Sequence, residues 1–381
     1  MLRICILIIL LFSCRNTELS SVSSDVFNPK NPAAYFLANS LGNTLTKRGI
    51  AYIGFQSDRM ILATAYDDIY RRFTAFESTD GTNFTKSQFD SENCNGSYTD
   101  SGCSILEIKF ENGSYRVLLV NKTNGKPTGI RIGTGSSLSS LTFTKTAPPS
   151  GFLNVTTSFD MMNDFLSIHR NQTQFIYAAS TLYSVTDSKW QSVSMTNSKQ
   201  CKSLYLNDTG NPTCDLLYYH NGSIWTNSPF STTDNIIQTS NLYAIAPVFY
   251  INGKYWAFTQ NGFLYSSSSG TFLSSLTFSP LYALSGVWGL YPKFSLRSDG
   301  KGLVAVNRPA QSASDTMLDI FTSSDSGSTW LTGQSMSLLT VTSIGSLGNT
   351  FYMLAAKQDQ STVLYKSDTG TSWTEVTLPS F

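Results

Sequence analysis

Ser323-Ser324-Asp325-Ser326-Gly327-Ser328-Thr329-Trp330 has the residue types of a tight, self-closing turn. An Asp carboxylate accepts bonds from backbone N–H groups a few residues ahead and so holds a turn shut. Gly supplies the positive φ that such a turn requires. The terminal Trp enters an apolar layer and pins the turn to the body beneath it. A near copy, Lys366-Ser367-Asp368-Thr369-Gly370-Thr371-Ser372-Trp373, follows forty-three residues later. A shorter form, Ser78-Thr79-Asp80-Gly81-Thr82-Asn83-Phe84, has one residue fewer between acid and aromatic. The residues expected to close these turns are Asp80, Gly81 and Phe84; Asp325, Gly327 and Trp330; and Asp368, Gly370 and Trp373.

Each turn runs into a short alternating segment, the mark of a strand. Thr85-Lys86-Ser87-Gln88-Phe89 follows the first, and Thr374-Glu375-Val376-Thr377-Leu378 the last. Degenerate copies are then visible. Thr186-Asp187-Ser188-Lys189-Trp190 keeps acid and aromatic, whereas 266–272 keeps Gly270 and Phe272 without the acid. The hexapeptide Leu-Ser-Ser-Leu-Thr-Phe stands at both 138–143 and 273–278, and reads as the strand after a turn. A weaker turn is His220-Asn221-Gly222-Ser223-Ile224-Trp225. The closing positions fall near 84, 138, 190, 225, 272, 330 and 373, a mean step of about 48 residues. That is the length of a four-stranded propeller blade. The expected fold is all-β, a β-propeller of seven blades, or six if the short Trp225 unit is not a blade.

Composition agrees with that class. The chain has 381 residues and is 41% hydrophobic, enough for a large core. Charged residues make up only 13%, about half the usual share, and no long Ala/Leu/Glu/Lys stretch predicts a helix. Net charge is +1, so no basic patch is present to neutralise phosphates, and nucleic acid is not an expected partner.

The three best turns resemble the Asp-box, or BNR repeat, of sialidase-like β-propellers. In that family the boxes lie on the blade rim, away from the central channel, which implies structural and not catalytic acids. Sialidases clamp a carboxylate with three arginines, a geometry suited to guanidinium forks. They also carry an early Arg-Ile-Pro signature, and this chain lacks it. The one charge-dense region contains Asp58, Arg59, Asp67, Asp68, Arg71 and Arg72, which are the pocket candidates; Arg297 and Arg308 could complete a trio. With two histidines, His169 and His220, general acid–base capacity is small, and neither a zinc site nor any cofactor is expected. Tyr243, Tyr250, Tyr255, Trp256, Tyr282, Trp288 and Tyr291 crowd one third of the chain. They suit either sugar or peptide binding, or the packing between blades.

The N-terminus reads as an address. Met1-Leu2-Arg3 and a nine-residue apolar run to Phe12 form a secretory signal, too short to cross a bilayer. Leu11-Phe12-Ser13-Cys14 resembles the bacterial lipobox, with Phe12 where a small residue is usual. The resemblance implies a signal at 1–13, a lipidated Cys14 with a flexible tether at 14–30, and one propeller over 31–381. Cys94/Cys103 and Cys201/Cys214 are close pairs in Ser/Asn/Gly-rich loops, expected as disulfides in an oxidising compartment. The functional expectation is an envelope lipoprotein, on the outer membrane of a bacterium, whose propeller binds a glycan or protein without catalysis. The alternatives are a sialidase-type exo-glycosidase and an envelope-assembly scaffold.

Overall fold

The computed structural model describes residues 50–377 except 57, 65–71, 91–93, 95–101, 124–125, 147–164, 171–172, 179–180, 187–188, 195–200, 202–203, 208, 215–217, 222, 228–244, 252, 260–262, 268–277, 284–292, 298, 308–317, 333–335, 339 and 358–360. The leader, Cys14 and the tether lie outside these residues. Among the described residues there are seven four-stranded sheets, each an antiparallel meander in chain order. Sheet 1 is β1 (Ile50–Phe55), β2 (Met60–Thr64), β3 (Phe73–Ser78) and β4 (Thr85–Phe89). Sheet 2 is β5 (Gly102–Glu111), β6 (Ser114–Thr123), β7 (Lys126–Gly135) and β8 (Thr142–Thr146). Sheet 3 is β9 (Phe165–Arg170), β10 (Thr173–Ala178), β11 (Thr181–Thr186) and β12 (Lys189–Ser194). Sheet 4 is β13 (Leu204–Leu206), β14 (Pro212–Cys214), β15 (Tyr218–His220) and β16 (Trp225–Asn227). Sheet 5 is β17 (Ile245–Ile251), β18 (Lys254–Thr259), β19 (Phe263–Ser267) and β20 (Phe278–Ala283). Sheet 6 is β21 (Lys293–Leu296), β22 (Gly302–Asn307), β23 (Leu318–Ser323) and β24 (Leu331–Thr332). Sheet 7 is β25 (Thr340–Leu347), β26 (Thr350–Ala356), β27 (Thr362–Ser367) and β28 (Thr374–Val376).

The middle strands are apolar on both faces because both faces are covered. Met60–Thr64 is buried throughout, and Val117–Val120 forms a continuous buried run. Alternation decides which neighbour each side chain meets. Val117 and Leu119 pack towards sheet 1 with Ile61, Phe73 and Phe89. Leu118 and Val120 pack towards sheet 3 with Ile176, Tyr183 and Val185. The same contact repeats around the molecule. Phe175, Tyr177 and Leu182 of sheet 3 meet Trp225 of sheet 4. Tyr205 meets Tyr255, with ring centroids 6.4 Å apart, and Trp256 meets Phe294 at 5.2 Å. Ile320 of sheet 6 joins Val341, Ile344 and Phe351 of sheet 7. The ring then closes, because Leu347, Tyr352, Leu354 and Leu364 of sheet 7 share a core with Ile53, Met60, Leu62 and Phe76 of sheet 1. First strands of neighbouring sheets touch (β1 with β5 and β25, β9 with β5 and β13), so they surround the central axis.

The turn motifs occupy equivalent corners. Ser78–Phe84 joins β3 to β4, Ser323–Trp330 joins β23 to β24, and Ser367–Trp373 joins β27 to β28, each time the third strand to the outer fourth. The degenerate copies at 138–143, 186–190 and 220–225 lie at this same corner in sheets 2, 3 and 4, while 268–272 of the copy at 266–272 lie outside the described residues; the seven sheets make the unit count seven. In the first turn the amides of Thr82 and Asn83 donate to Asp80 Oδ1 at 2.8 and 2.7 Å. The Gly81 amide donates to Ser78 Oγ at 2.8 Å. Asp325 accepts from the Thr329 amide at 2.8 Å, and the Gly327 amide donates to Ser323 Oγ at 2.8 Å. Gly81, Gly327 and Gly370 all have positive φ, at 69°, 81° and 78°. Both Trp residues add a bond: the indole N–H of Trp330 donates to Gly327 O at 3.1 Å, and that of Trp373 to Gly370 O at 3.0 Å. In sheet 4, Asn221 Oδ1 does the work of the missing acid, accepting from the Ser223 and Ile224 amides, each at 3.0 Å.

One expected strand is different. Residues 138–143 open with a 3₁₀ turn, Leu138–Ser140, and β8 begins only at Thr142. The Ser137 amide donates to Ser140 Oγ at 3.1 Å, while the Ser140 amide donates to Ser137 O at 3.2 Å. That coil turns Leu138 into the core between sheets 1 and 2, where it takes the place of the aromatic used elsewhere. Of the second copy, only Phe278 lies among the described residues. Cys94–Cys103 and Cys201–Cys214 are disulfide-bonded, with Cα–Cα distances of 5.3 and 5.6 Å. The first ties the connection after sheet 1 to the start of β5, and the second ties the connection after sheet 3 to β14.

Candidate functional site

A cleft of about 550 Å³ opens where the ends of β1 and β5 approach the axis, lined by Tyr52, Phe55, Gln56, Asp58, Glu107, Lys109, Phe110 and Glu111 among others. The two strands make no backbone ladder with each other. Side chains of β1 instead serve the backbone of β5. Tyr52 Oη accepts from the Ile108 amide at 2.9 Å, and Gln56 Oε1 accepts from the Phe110 amide at 2.9 Å. Gln56 Nε2 donates to Ile108 O at 3.2 Å. Burial holds the Tyr52 hydroxyl well above the usual phenol range.

The β1–β2 turn, closed by the Gln56 amide donating to Arg59 O at 2.9 Å, presents Asp58 and Arg59. Four of the five N–H donors of the Arg59 guanidinium are engaged. It donates Nε to Asp58 Oδ1 at 3.1 Å and Nη2 to Oδ2 at 2.7 Å, a two-pronged pair. Nη1 reaches the Glu77 carboxylate, and also Tyr115 Oη at 3.2 Å. Tyr115 Oη donates to the other Glu77 oxygen. The guanidinium carbon sits 3.8 Å from the centroid of Phe110. The bonds to Asp58 raise Arg59's pKa further and lower that of Asp58. Burial, with the Glu77 carboxylate beside it, pushes the Tyr115 phenol up to about 12.

On its other side the cleft has a row that sequence reading missed. β5 carries a bulge between Ile105 and Glu107. Without it, strict alternation would send Glu107 towards sheet 1 with Ile105. The bulge places Leu106 and Glu107 both towards sheet 3, and Glu107, Lys109 and Glu111 then follow on that face. Gln174 Nε2 donates to Glu107 at 2.7 Å, and Lys109 Nζ donates to His169 O at 3.1 Å. His169 Nδ1 lies 3.4 Å from a Glu111 oxygen. Burial raises the Glu107 pKa, opposed by the Gln174 amide, Lys109 and Arg116. Burial, with Arg116 and Lys109 nearby, drives His169 down to about 4. The available signal was the charge rhythm of Glu107-Ile108-Lys109-Phe110-Glu111.

The other pocket candidates do not join this site in the described residues. Asp67, Asp68, Arg71 and Arg308 lie outside them. Arg72 immediately precedes β3 and is separated from Arg59 by the five residues of β2, roughly 16 Å of strand. Arg297 is buried at the sheet 6–sheet 7 boundary, where it pairs with Asp299 and donates Nη1 to Asp368 O at 2.9 Å. Asp80, Asp325 and Asp368 sit at the outer corners, with three strands of each blade between them and the axis side. Tyr255 and Trp256 are wholly buried between blades, and the Tyr250 ring is tilted against Tyr255 with centroids 4.8 Å apart. Tyr243, Trp288 and Tyr291 lie outside the described residues. Among the described residues no three His, Cys, Asp or Glu side chains gather as a metal site.

No protein-family model matches the chain, and comparison with characterised proteins by sequence finds no match. Solved structures do match in fold. YCF48 from Cyanidioschyzon merolae superposes with a TM-score of 0.51 at 13% identity, over 84% of this chain and 96% of that one. A post-proline cleaving enzyme from Rickettsia typhi gives 0.50 at 9% identity, over 95% of this chain and 58% of that one. The chain is a β-propeller. At such identities the propeller fold is what is shared, and its seven blades place the cleft at one mouth of the central channel, between blades 1 and 2.

Proposed function

We propose that this propeller is the binding domain of a lipid-anchored envelope protein, tethered through Cys14, and that it takes a protein or glycan ligand without chemical turnover. The observation that supports binding over catalysis is the engagement of four of Arg59's five N–H donors by Asp58, Glu77 and Tyr115. A sialidase-type clamp needs guanidinium forks free to take a substrate carboxylate. The remaining arginines with described partners are spread around the ring: Arg116 beside Gln174, Arg131 beside Asn121, Arg170 beside Asn211 and Arg297 beside Asp299. The acid–glycine–aromatic turns resemble Asp-boxes, and the turn amides donated to Asp80 and Asp325 support a clasping role for these two, while Asp368 instead accepts from Thr350 Oγ1.

The test has two arms. The purified propeller is expected to show no turnover of a sialyl-lactoside or an aryl glycoside above buffer, and measurable hydrolysis would overturn the binding reading in favour of the exo-glycosidase. The full-length chain is expected to partition into the detergent phase of a Triton X-114 extraction of bacterial cells, with Cys14→Ser moving it to the aqueous phase. Equal partitioning of the two would remove the anchor.

A further inference from the structure

We infer that oxidation of Cys201 and Cys214 gates the assembly of blade 4, so that the ring is complete only after this one bond has formed. The inference is independent of what the propeller binds. Among the described residues, blade 4 is the sheet with no strand longer than three residues. β13 meets β14 through Leu204–Cys214, Tyr205–Thr213 and Leu206–Pro212, and a proline gives the ladder no N–H. β14 meets β15 only at Thr213–Tyr219 and Cys214–Tyr218. Antiparallel pairs this short are marginal in water by themselves. The far end of the β13–β14 hairpin is closed by Asn207, whose Oδ1 accepts from the amides of Thr209 and Asn211 at 3.0 and 2.8 Å. The near end is closed by the disulfide, since Cys201 stands just before β13 and Cys214 is the ladder partner of Leu204.

Packing points the same way. Blade 4 gives the blade 3–blade 4 core three buried residues, Cys201, Cys214 and Trp225, which meet Phe175, Tyr177 and Leu182. The cysteines are 1% and 0% exposed, so two free thiols would bring extra hydrogens into packed space. Cys94–Cys103 is placed differently. It joins ten other buried residues in the blade 1–blade 2 core, and its β5 is a ten-residue strand paired along the ten residues of β6. The two bridges span 13 and 9 residues. The chain entropy they remove from the unfolded state therefore differs by less than about twofold in the folding equilibrium. Unequal effects must come from the local structure each bridge closes. Blade 4 is also the joint between blades 3 and 5, because β13 touches both β9 and β17 and Tyr205 packs on Tyr255. Without it, the other six blades stay joined as an open arc through the blade 7–blade 1 core. The chemistry is thiol–disulfide exchange: the two thiols give two electrons and two protons to a disulfide oxidant such as oxidised glutathione, which leaves as two thiols.

The experiment reads amide hydrogen exchange, peptide by peptide, in the full-length protein held in detergent and refolded from its reduced, denatured chain. Refolding with oxidised glutathione is expected to protect all seven blades. Refolding with dithiothreitol is expected to leave β13–β16 exchanging about a hundredfold faster, with β5–β7 and β25–β27 still protected. Cys201→Ser with Cys214→Ser is expected to reproduce that pattern under oxidising conditions. Cys94→Ser with Cys103→Ser is expected to leave β13–β16 as slow as in the native sequence. Cys201→Ala with Cys214→Val keeps apolar side chains without the bond, and the same loss is expected of it. Equal protection of β13–β16 with and without the oxidant would overturn the gate. So would loss of blade 4 in the Cys94→Ser, Cys103→Ser variant, full protection in the Cys201→Ala, Cys214→Val variant, or collapse of all seven blades together in the reduced chain. Sialoside turnover bears only on the binding reading, so the two failures are distinguishable.

Discussion

Gly327 combines two constraints that a single methyl would violate. Its φ is 81°, and a Cβ there would collide with the Trp256 ring of the preceding blade. Gly348 has a φ of 56° but open space around it. Gly348→Ala is therefore expected to cost about 1 kcal/mol from backbone strain alone, and Gly327→Ala about 3 kcal/mol from strain plus overpacking. Denaturant unfolding of the two variants checks this, and equal losses would mean that Trp256 does not seat on the turn. Asp80 and Asp325 could be read from sequence because their main partners lie within five residues. Asp325, held down to about 2 by Thr329 and Ser323, is an example. Asp368 departs from that expectation, its carboxylate accepting from Thr350 Oγ1 at 2.6 Å, 18 residues away, while the Gly370 and Thr371 amides donate to Ser367 Oγ and Thr369 Oγ1. Arg59 was legible as a charge but not as a paired one, since Glu77 and Tyr115 are brought to it by sheet pairing from 18 and 56 residues away.

Strands carry information that alternation alone misreads. The bulge in β5 changes which blade Glu107, Lys109 and Glu111 face, and nothing in the residue types marks it. Likewise Leu138–Ser140 coils where a strand was expected, because Ser137 and Ser140 satisfy each other's amides. The blade 2–blade 3 contact built by β5 and β9 makes a pH prediction. His169 is held neutral in the fold, at about 4 against an ordinary value near 6.5, with Lys109, Arg116 and Glu111 facing it. A depressed histidine contributes stability that is complete above about pH 6.5 and is lost as pH falls towards 4. The loss is on the order of 3 kcal/mol. Glu107, shifted upward, has the opposite sign, so the informative quantity is a difference between proteins. Between pH 7.5 and 4.5 the native chain is expected to lose more unfolding free energy than His169→Gln. Parallel losses would show that the imidazole is not buried between the blades.

At the scale of the molecule, the near-fifty-residue spacing was enough to predict repeated four-stranded units, while the closure of the ring was not readable. Closure among the described residues uses no strand borrowed from the other end of the chain: blade 7 is β25 to β28, and blade 1 is β1 to β4. Residues 270 or more apart do the joining, with Phe55 against Tyr352 at 6.3 Å and the Tyr352 hydroxyl donating to Asp80 O at 3.4 Å. A Cβ placed on Gly345 would fall against Cγ of Phe55, one bond from that residue's own Cβ. The two Cβ positions are therefore no more than about 4 Å apart, within the reach of a disulfide. The direct measurement is disulfide formation in the Phe55→Cys, Gly345→Cys double variant, read by peptide mapping of the folded, oxidised protein. A closed ring predicts a near-quantitative 55–345 crosslink within one chain. A folded chain in which these two cysteines stay free, or pair only between molecules, would contradict it.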